Sequence, residues 1–222
     1  MQSNGGSEQF SPTKTYSAEE RFADAVVHIV GVSGGIIAVV GMMAAAIVSL
    51  PPAANASLAI YGVGVLAMFG CSAAYHLIPS QPWKDTLRRL DHAAIFLKIA
   101  GTYTPFALVK IGGVAGYTLF GGIWAVALAG LAGKLFARTS GNRIDVPIYL
   151  LLGWAGLLVF RPLADAVSLS VLALLALGGV LYTAGVIFHL WRALKYQNAI
   201  WHAFVLVATC CHFGAVTTAM FS

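Results

Sequence analysis

Charge is what this chain has least of. Only 9% of its 222 residues are Asp, Glu, Lys or Arg, against about 25% in an ordinary soluble domain. With 59% hydrophobic residues and a mean hydropathy of +0.83, a water-soluble fold around one core is excluded. Cysteine is almost as scarce. Cys71, Cys210 and Cys211 form no CxxC pair and sit in apolar stretches, which excludes a disulfide framework or a thiolate zinc site and leaves them as small packing residues. Basic clusters interleaved with aromatics are also missing, so the net charge of +5 does not point to nucleic acid. Nor does the sequence open like a secretory signal, because its first apolar run starts at Phe22 and is too long for one.

What the chain does have is long apolar runs. Residues 1–21 are polar and Gly/Ser-rich and read as a flexible tail, and residues 22–222 read as one membrane domain. Seven segments are long and apolar enough to span a bilayer: about 22–49, 56–78, 91–111, 115–136, 146–161, 167–191 and 198–220. Breakers fall at their ends: Pro51-Pro52, Pro79, Pro82, Gly112-Gly113, Gly141-Asn142 and Arg161-Pro162. Pro105 falls inside the third span and predicts a kink. Gly31 and Gly35, Gly112 and Gly116, and Gly153 and Gly156 are placed for close helix contact. The expected fold is therefore an all-α bundle of seven transmembrane helices. No inverted repeat relates two halves, which argues against many transporter folds.

Orientation follows from the basic residues. With the N-terminus cytosolic, ten loop-side Lys and Arg lie inside (Lys14, Arg21, Lys84, Arg88, Arg89, Lys134, Arg138, Arg143, Arg192, Lys195) and only Lys110 and Arg161 outside. That asymmetry over short loops predicts N-in, C-out.

Under this topology His28, His76, His92, His189 and His202 come within about two helical turns of the cytosolic edge, together with Glu19, Glu20, Asp24 and Asp91. Ionisable groups in a span cost several kcal/mol unless paired, so their convergence at one depth marks a candidate site. Ser72 and His76 are four apart and share a helix face, as do Asn198 and His202. Asp91 opens the third span, with Lys98 two turns on. His212 lies ten residues, ~15 Å, beyond His202, too far to share one ion with it. Imidazoles beside a carboxylate are the ingredients of a zinc site, whereas His92, His189 and His212 read as hydrogen-bonding residues.

The stretches SAAYH, RLDHAAIFLKIAGTYTPF and NAIWHAFVLVATCCHF resemble the hemolysin III family of bacterial membrane proteins, which is related to the progestin and adiponectin receptors and to the alkaline ceramidases. The resemblance implies a multi-pass protein of the bacterial plasma membrane with a zinc site near the cytosolic face. In that pattern His76 and His202 are zinc ligands, Asp91 positions or deprotonates the metal-bound water, and Ser72 supports the site. Glu20 and His28 resemble polar positions opening the first helix of bacterial members. Asn198 departs from the pattern, since the receptors carry there the first histidine of an HxxxH pair, and a neutral amide is a poor zinc ligand. The third ligand is then Asp91 or His28, or the metal is held weakly or not at all.

Two functions fit this reading. One is a zinc-dependent hydrolase of a lipid amide or ester, with Asp91 as base and a membrane lipid or lipid-derived molecule as substrate. The other is a non-catalytic receptor or regulator of membrane lipid state, in which the metal only ties helices together. A pore, which the family name suggests, is disfavoured because no span carries the polar stripe of a conducting channel. The charge count generates a direct expectation. A C-terminal reporter active only in the cytosol should be silent and an N-terminal one active; the reverse pattern would overturn the orientation.

Overall fold

The computed structural model describes residues 16–79, 81–136 and 142–222, and among these every regular element is helical. The helices are α1 (Ala18–Ser49), α2 (Pro52–Leu77), α3 (Lys84–Pro105), α4 (Gly113–Phe136), α5 (Asn142–Trp154), α6 (Phe160–Ala166), α7 (Leu169–Leu190) and α8 (Gln197–Phe221). They make seven spans, the fifth built from α5, α6 and the 3-10 turns between them. The tail expected over residues 1–21 falls mostly outside the described residues.

Helix starts run ahead of the apolar pattern because capping chemistry, not hydropathy, sets them. α1 begins at Ala18 behind a capping box: Ser17 Oγ accepts the Glu20 amide at 3.2 Å, and the Ser17 amide donates to Glu20 Oε2 at 2.8 Å. Pro52 opens α2 at its first position, where the missing N–H costs nothing. α3 starts at Lys84, well before the expected 91, and Lys84 Nζ reaches back to the Tyr75 carbonyl at the end of α2. That contact ties the two helix ends together.

The two internal prolines behave differently. At Pro105 the α3 register gives way to a π-helical stretch, Phe106–Ile111, which ends on Gly112 and Gly113 with φ of 60° and 55°. The expected kink is thus a change of helical register. Pro162 does not terminate the fifth span. It is the third residue of α6, within the first turn, where no backbone donor is required. The real break lies earlier, at residues 155–159, where Tyr103 of α3 enters the fifth span: its hydroxyl donates to the Gly153 carbonyl at 2.6 Å and accepts the Gly156 amide at 2.9 Å.

α2 packs against α1 and α3, α3 against α4, and α8 against α7 and α1, so α1 joins the two halves of the bundle. The α2–α3 crossing is the closest. A Cβ at Gly64 would stand 3.0 Å from the Leu97 carbonyl oxygen, and one at Gly101 would stand 3.1 Å from that of Ile60. Glycine on each helix faces backbone on the other. Of the glycines singled out from sequence, Gly31 and Gly35 seat the Phe69 ring and Gly116 abuts the Ala107 carbonyl. Gly153 has open space beside it and Gly112 serves a turn, so neither is a packing contact. Cys210 faces outward and is likewise no packing residue.

The crossing makes a clear expectation. Gly64→Val forces branched atoms against the α3 backbone and should cost about 1–3 kcal/mol, lowering the thermal midpoint in detergent. Gly121→Val on the open face of α4, where nothing lies within 4 Å, should leave that midpoint nearly unchanged. Equal losses would mean that α2 and α3 do not meet backbone to backbone.

Candidate metal centre

Glu20 sets the register between the first and last spans. While its Oε2 closes the α1 capping box, its Oε1 accepts the Tyr196 amide at 3.0 Å. Tyr196 caps α8 in a left-handed conformation, φ 60°. This contact holds the N-termini of α1 and α8 side by side; Asp24 stands one turn beyond Glu20, and His202 six residues beyond Tyr196. Tyr16 adds a second tie, donating from its hydroxyl to Asn198 Oδ1 at 3.2 Å. Burial holds that phenol above its ordinary pKa, so it remains a donor.

Asp24 is the hub. Its Oδ1 lies 2.7 Å from His202 Nδ1 and its Oδ2 lies 3.2 Å from His76 Nδ1. Its own main-chain carbonyl is 2.8 Å from His28 Nδ1, one turn on in α1. The three imidazole centroids are 4.3, 4.5 and 4.9 Å apart. Ligand atoms of Asp24, His28, His76 and His202 all lie within 4.8 Å of one another, from three helices, α1, α2 and α8. Asp24 and His28 are buried, and His76 and His202 are partly accessible.

Ser72 joins this group to Asp91. Its hydroxyl faces the Asp91 carboxylate and lies 3.3 Å from His28 Nε2. The two are contributed by α2 and α3, the pair locked at Gly64 and Gly101. Asp91 itself is outside the four-residue cluster.

The donor set fits a metal ion. Three imidazoles and a carboxylate are the nitrogen and oxygen donors zinc prefers, and the hydrogen bonding is of the kind that orients such ligands. With Nδ1–H of His28 donated to a carbonyl, the neutral ring turns a lone pair outward at Nε2. Ser72 has one proton to offer, and both that lone pair and the Asp91 carboxylate face it. A cation taking the His28 lone pair removes the competition.

The sequence-derived residues therefore divide. His76, His202, Ser72 and Asp91 all come together at one end of the bundle, and His28 joins them from α1. Asn198 does not: its side-chain oxygen holds Tyr16. Asp24 was not singled out as a site residue, although its i, i+4 spacing to His28 was a readable signal. His92 and His189 make other contacts. The His92 carbonyl accepts from Tyr149, the His189 carbonyl accepts from Gln197, and the His189 ring packs on Trp201. The candidate centre opens into a cavity of about 1580 Å³ that continues past Lys98 to Phe106, Leu163 and Leu172.

Similarity to known proteins places the chain in a family. The model of the family described as Haemolysin-III related matches residues 16–213. The chain is 35% identical over 201 residues to the Hemolysin-3 homolog of Bacillus subtilis (strain 168), covering 90% of this chain and 94% of that one. It is 34% identical to Hemolysin-3 of Bacillus cereus, over 86% and 88% of the two chains. Human monocyte to macrophage differentiation factor is 29% identical over 71% of this chain and 67% of its own. No solved structure matches. With a family model that spans the candidate centre and seven helices able to cross a membrane, this chain is a multi-pass membrane protein that belongs to the hemolysin III family.

Proposed function

We propose that the protein is a zinc-dependent hydrolase of a lipid amide or ester, working at the cytosolic face of a bacterial plasma membrane. The observation that carries this reading is the meeting of three imidazoles and the Asp24 carboxylate with Ser72 and Asp91, at the polar end of a large apolar cavity. His28, His76 and His202 hold the ion, and Asp24 orients His76 and His202 through their Nδ1 atoms. Zinc in such a site polarises a carbonyl and acidifies water.

The remaining chemistry belongs to the chain. Asp91 takes a proton from the attacking water and returns it to the departing amine or alcohol, as a general base and then a general acid. Ser72, which faces Asp91, orients it. The cavity walls take the acyl chain and exclude bulk water. One observation favours the receptor or regulator alternative: four protein donors lie within 4.8 Å of one another, and four ligands are what a closed structural zinc site has.

Elemental analysis of the purified protein tests the ligand set. His28→Ala, His76→Ala and His202→Ala should each lose most of the bound zinc, and His212→Ala should retain it. Asn198→His should bring no gain in affinity, because α1 already supplies the third imidazole. Retention of zinc by His28→Ala together with tighter binding by Asn198→His would restore the receptor arrangement.

Activity is tested separately. Asp91→Asn should keep its zinc while losing roughly 10²–10⁴-fold in hydrolysis of lipid amides or esters. Loss of the metal would make Asp91 a ligand instead. Absence of turnover by the zinc-loaded parent across a panel of both substrate classes would favour the receptor reading.

A further inference from the structure

Lys98 is 3% exposed, on α3 about 10 Å beyond Asp91 by helical rise. Among the described residues no carboxylate lies within 4.0 Å of it. It meets His212 Nδ1 of α8 at 3.3 Å and the Tyr182 ring of α7 at 4.4 Å from the centroid. Both partners are held in place. His212 Nε2 faces the Leu175 carbonyl at 3.4 Å, so its proton sits there and Nδ1 accepts from the lysine. Gly178 makes room for that imidazole, since a Cβ there would stand 2.3 Å from His212 Cδ2. Tyr182 donates to Thr209 Oγ1 at 2.6 Å, and Thr209 donates onward to the Val205 carbonyl at 2.7 Å. Three helices thus form a seat for one ammonium group and supply no negative charge to balance it.

We propose that Lys98, held in place by His212 and Tyr182, binds the carboxylate of a long-chain fatty acid whose tail lies in the half of the cavity remote from the metal centre. A lysine buried in a span is stable as a cation only when it meets a negative charge, and here that charge can enter through the cavity that Lys98 lines. Beyond Lys98 that cavity is walled by Phe106, Leu163 and Leu172 and by Thr102 and Tyr103, whose hydroxyls already donate to backbone carbonyls, which suits a single alkyl chain. One ammonium balances one negative charge. The cavity-lining arginines Arg21, Arg88 and Arg192 belong to the other end, so a phosphate dianion would remain half neutralised. At about 1580 Å³ the cavity exceeds the roughly 300–1,000 Å³ of a site for one small molecule. A molecule at Lys98 therefore leaves the metal centre free. The inference goes beyond the hydrolase reading and does not depend on turnover.

The test is equilibrium binding of radiolabelled palmitate to the full chain in nanodiscs, beside hexadecanol and hexadecyl phosphate. The parent should prefer palmitate to hexadecanol by at least tenfold and should not prefer hexadecyl phosphate. Lys98→Met, similar in length and uncharged, should abolish that preference while leaving hexadecanol binding and zinc content unchanged. His76→Ala, which disrupts the metal centre, should leave palmitate affinity within about twofold. Three results would overturn the proposal: equal binding of palmitate and hexadecanol by the parent, tighter binding of hexadecyl phosphate, or loss of palmitate binding in His76→Ala with retention in Lys98→Met. The last would place the carboxylate at the metal. Should Lys98→Met fail to fold, the three-ligand comparison on the parent decides alone.

Discussion

A single buried carboxylate, that of Asp24, determines which helices meet at the functional end of this bundle. Sequestering it from water would cost several kcal/mol without partners. Its partners are imidazoles on α8 and α2, while its own carbonyl holds the third imidazole on α1. No one helix can satisfy it, so α1, α2 and α8 have to come together. Lipid offers little hydrophobic force for that association, and directional polar contacts supply what apolar surface cannot. The Glu20–Tyr196 contact one turn earlier sets the same register from the aqueous edge.

The α2–α3 crossing plays the complementary part. Gly64 and Gly101 let the two backbones approach, and this fixes Ser72 of α2 beside Asp91 of α3 without any polar contact in the middle of the span. The opposite side of the molecule is built differently. The fifth span is interrupted at residues 155–159, where the Tyr103 hydroxyl substitutes for a helix bond. The cavity lies between this interrupted span, α3, α7 and α8. Packing is thus closest where the polar groups are held, and the helix is broken along the cavity wall.

Much of this was legible in the sequence. The seven spans, and the gathering of Ser72, His76, Asp91 and His202 at one end, follow from apolar run length, i, i+4 spacing and the hemolysin III resemblance. Helix starts at Ala18, Pro52 and Lys84 were not, because apolar pattern reports burial in lipid and caps obey backbone hydrogen bonding. Pro162 read as a terminator because a sequence cannot show that a new helix has started two residues before it. Asp24, placed at the right depth by the sequence, received no role there for a related reason. A carboxylate near a helix start is ordinary, and its importance depends on which helices lie beside α1, a property of the tertiary arrangement alone.

Asn198 and His28 show how one chemical requirement can be met from different helices. In the receptor pattern two imidazoles come from one turn of the last span, so that helix alone presents a pair of donors. Here the amide at position 198 holds Tyr16, and the third imidazole stands on α1. The consequence is mechanical as well as chemical. A set drawn from α1, α2 and α8 makes α1 a structural member of the centre, and α1 is also the helix that joins α2 to α8 in the bundle. An ion bound by His28, His76 and His202 would therefore close the seam between the two halves of the molecule, so that coordination and helix packing would stabilise one and the same arrangement. Moving one imidazole from α8 to α1 keeps the donor chemistry and changes which helices the centre binds together.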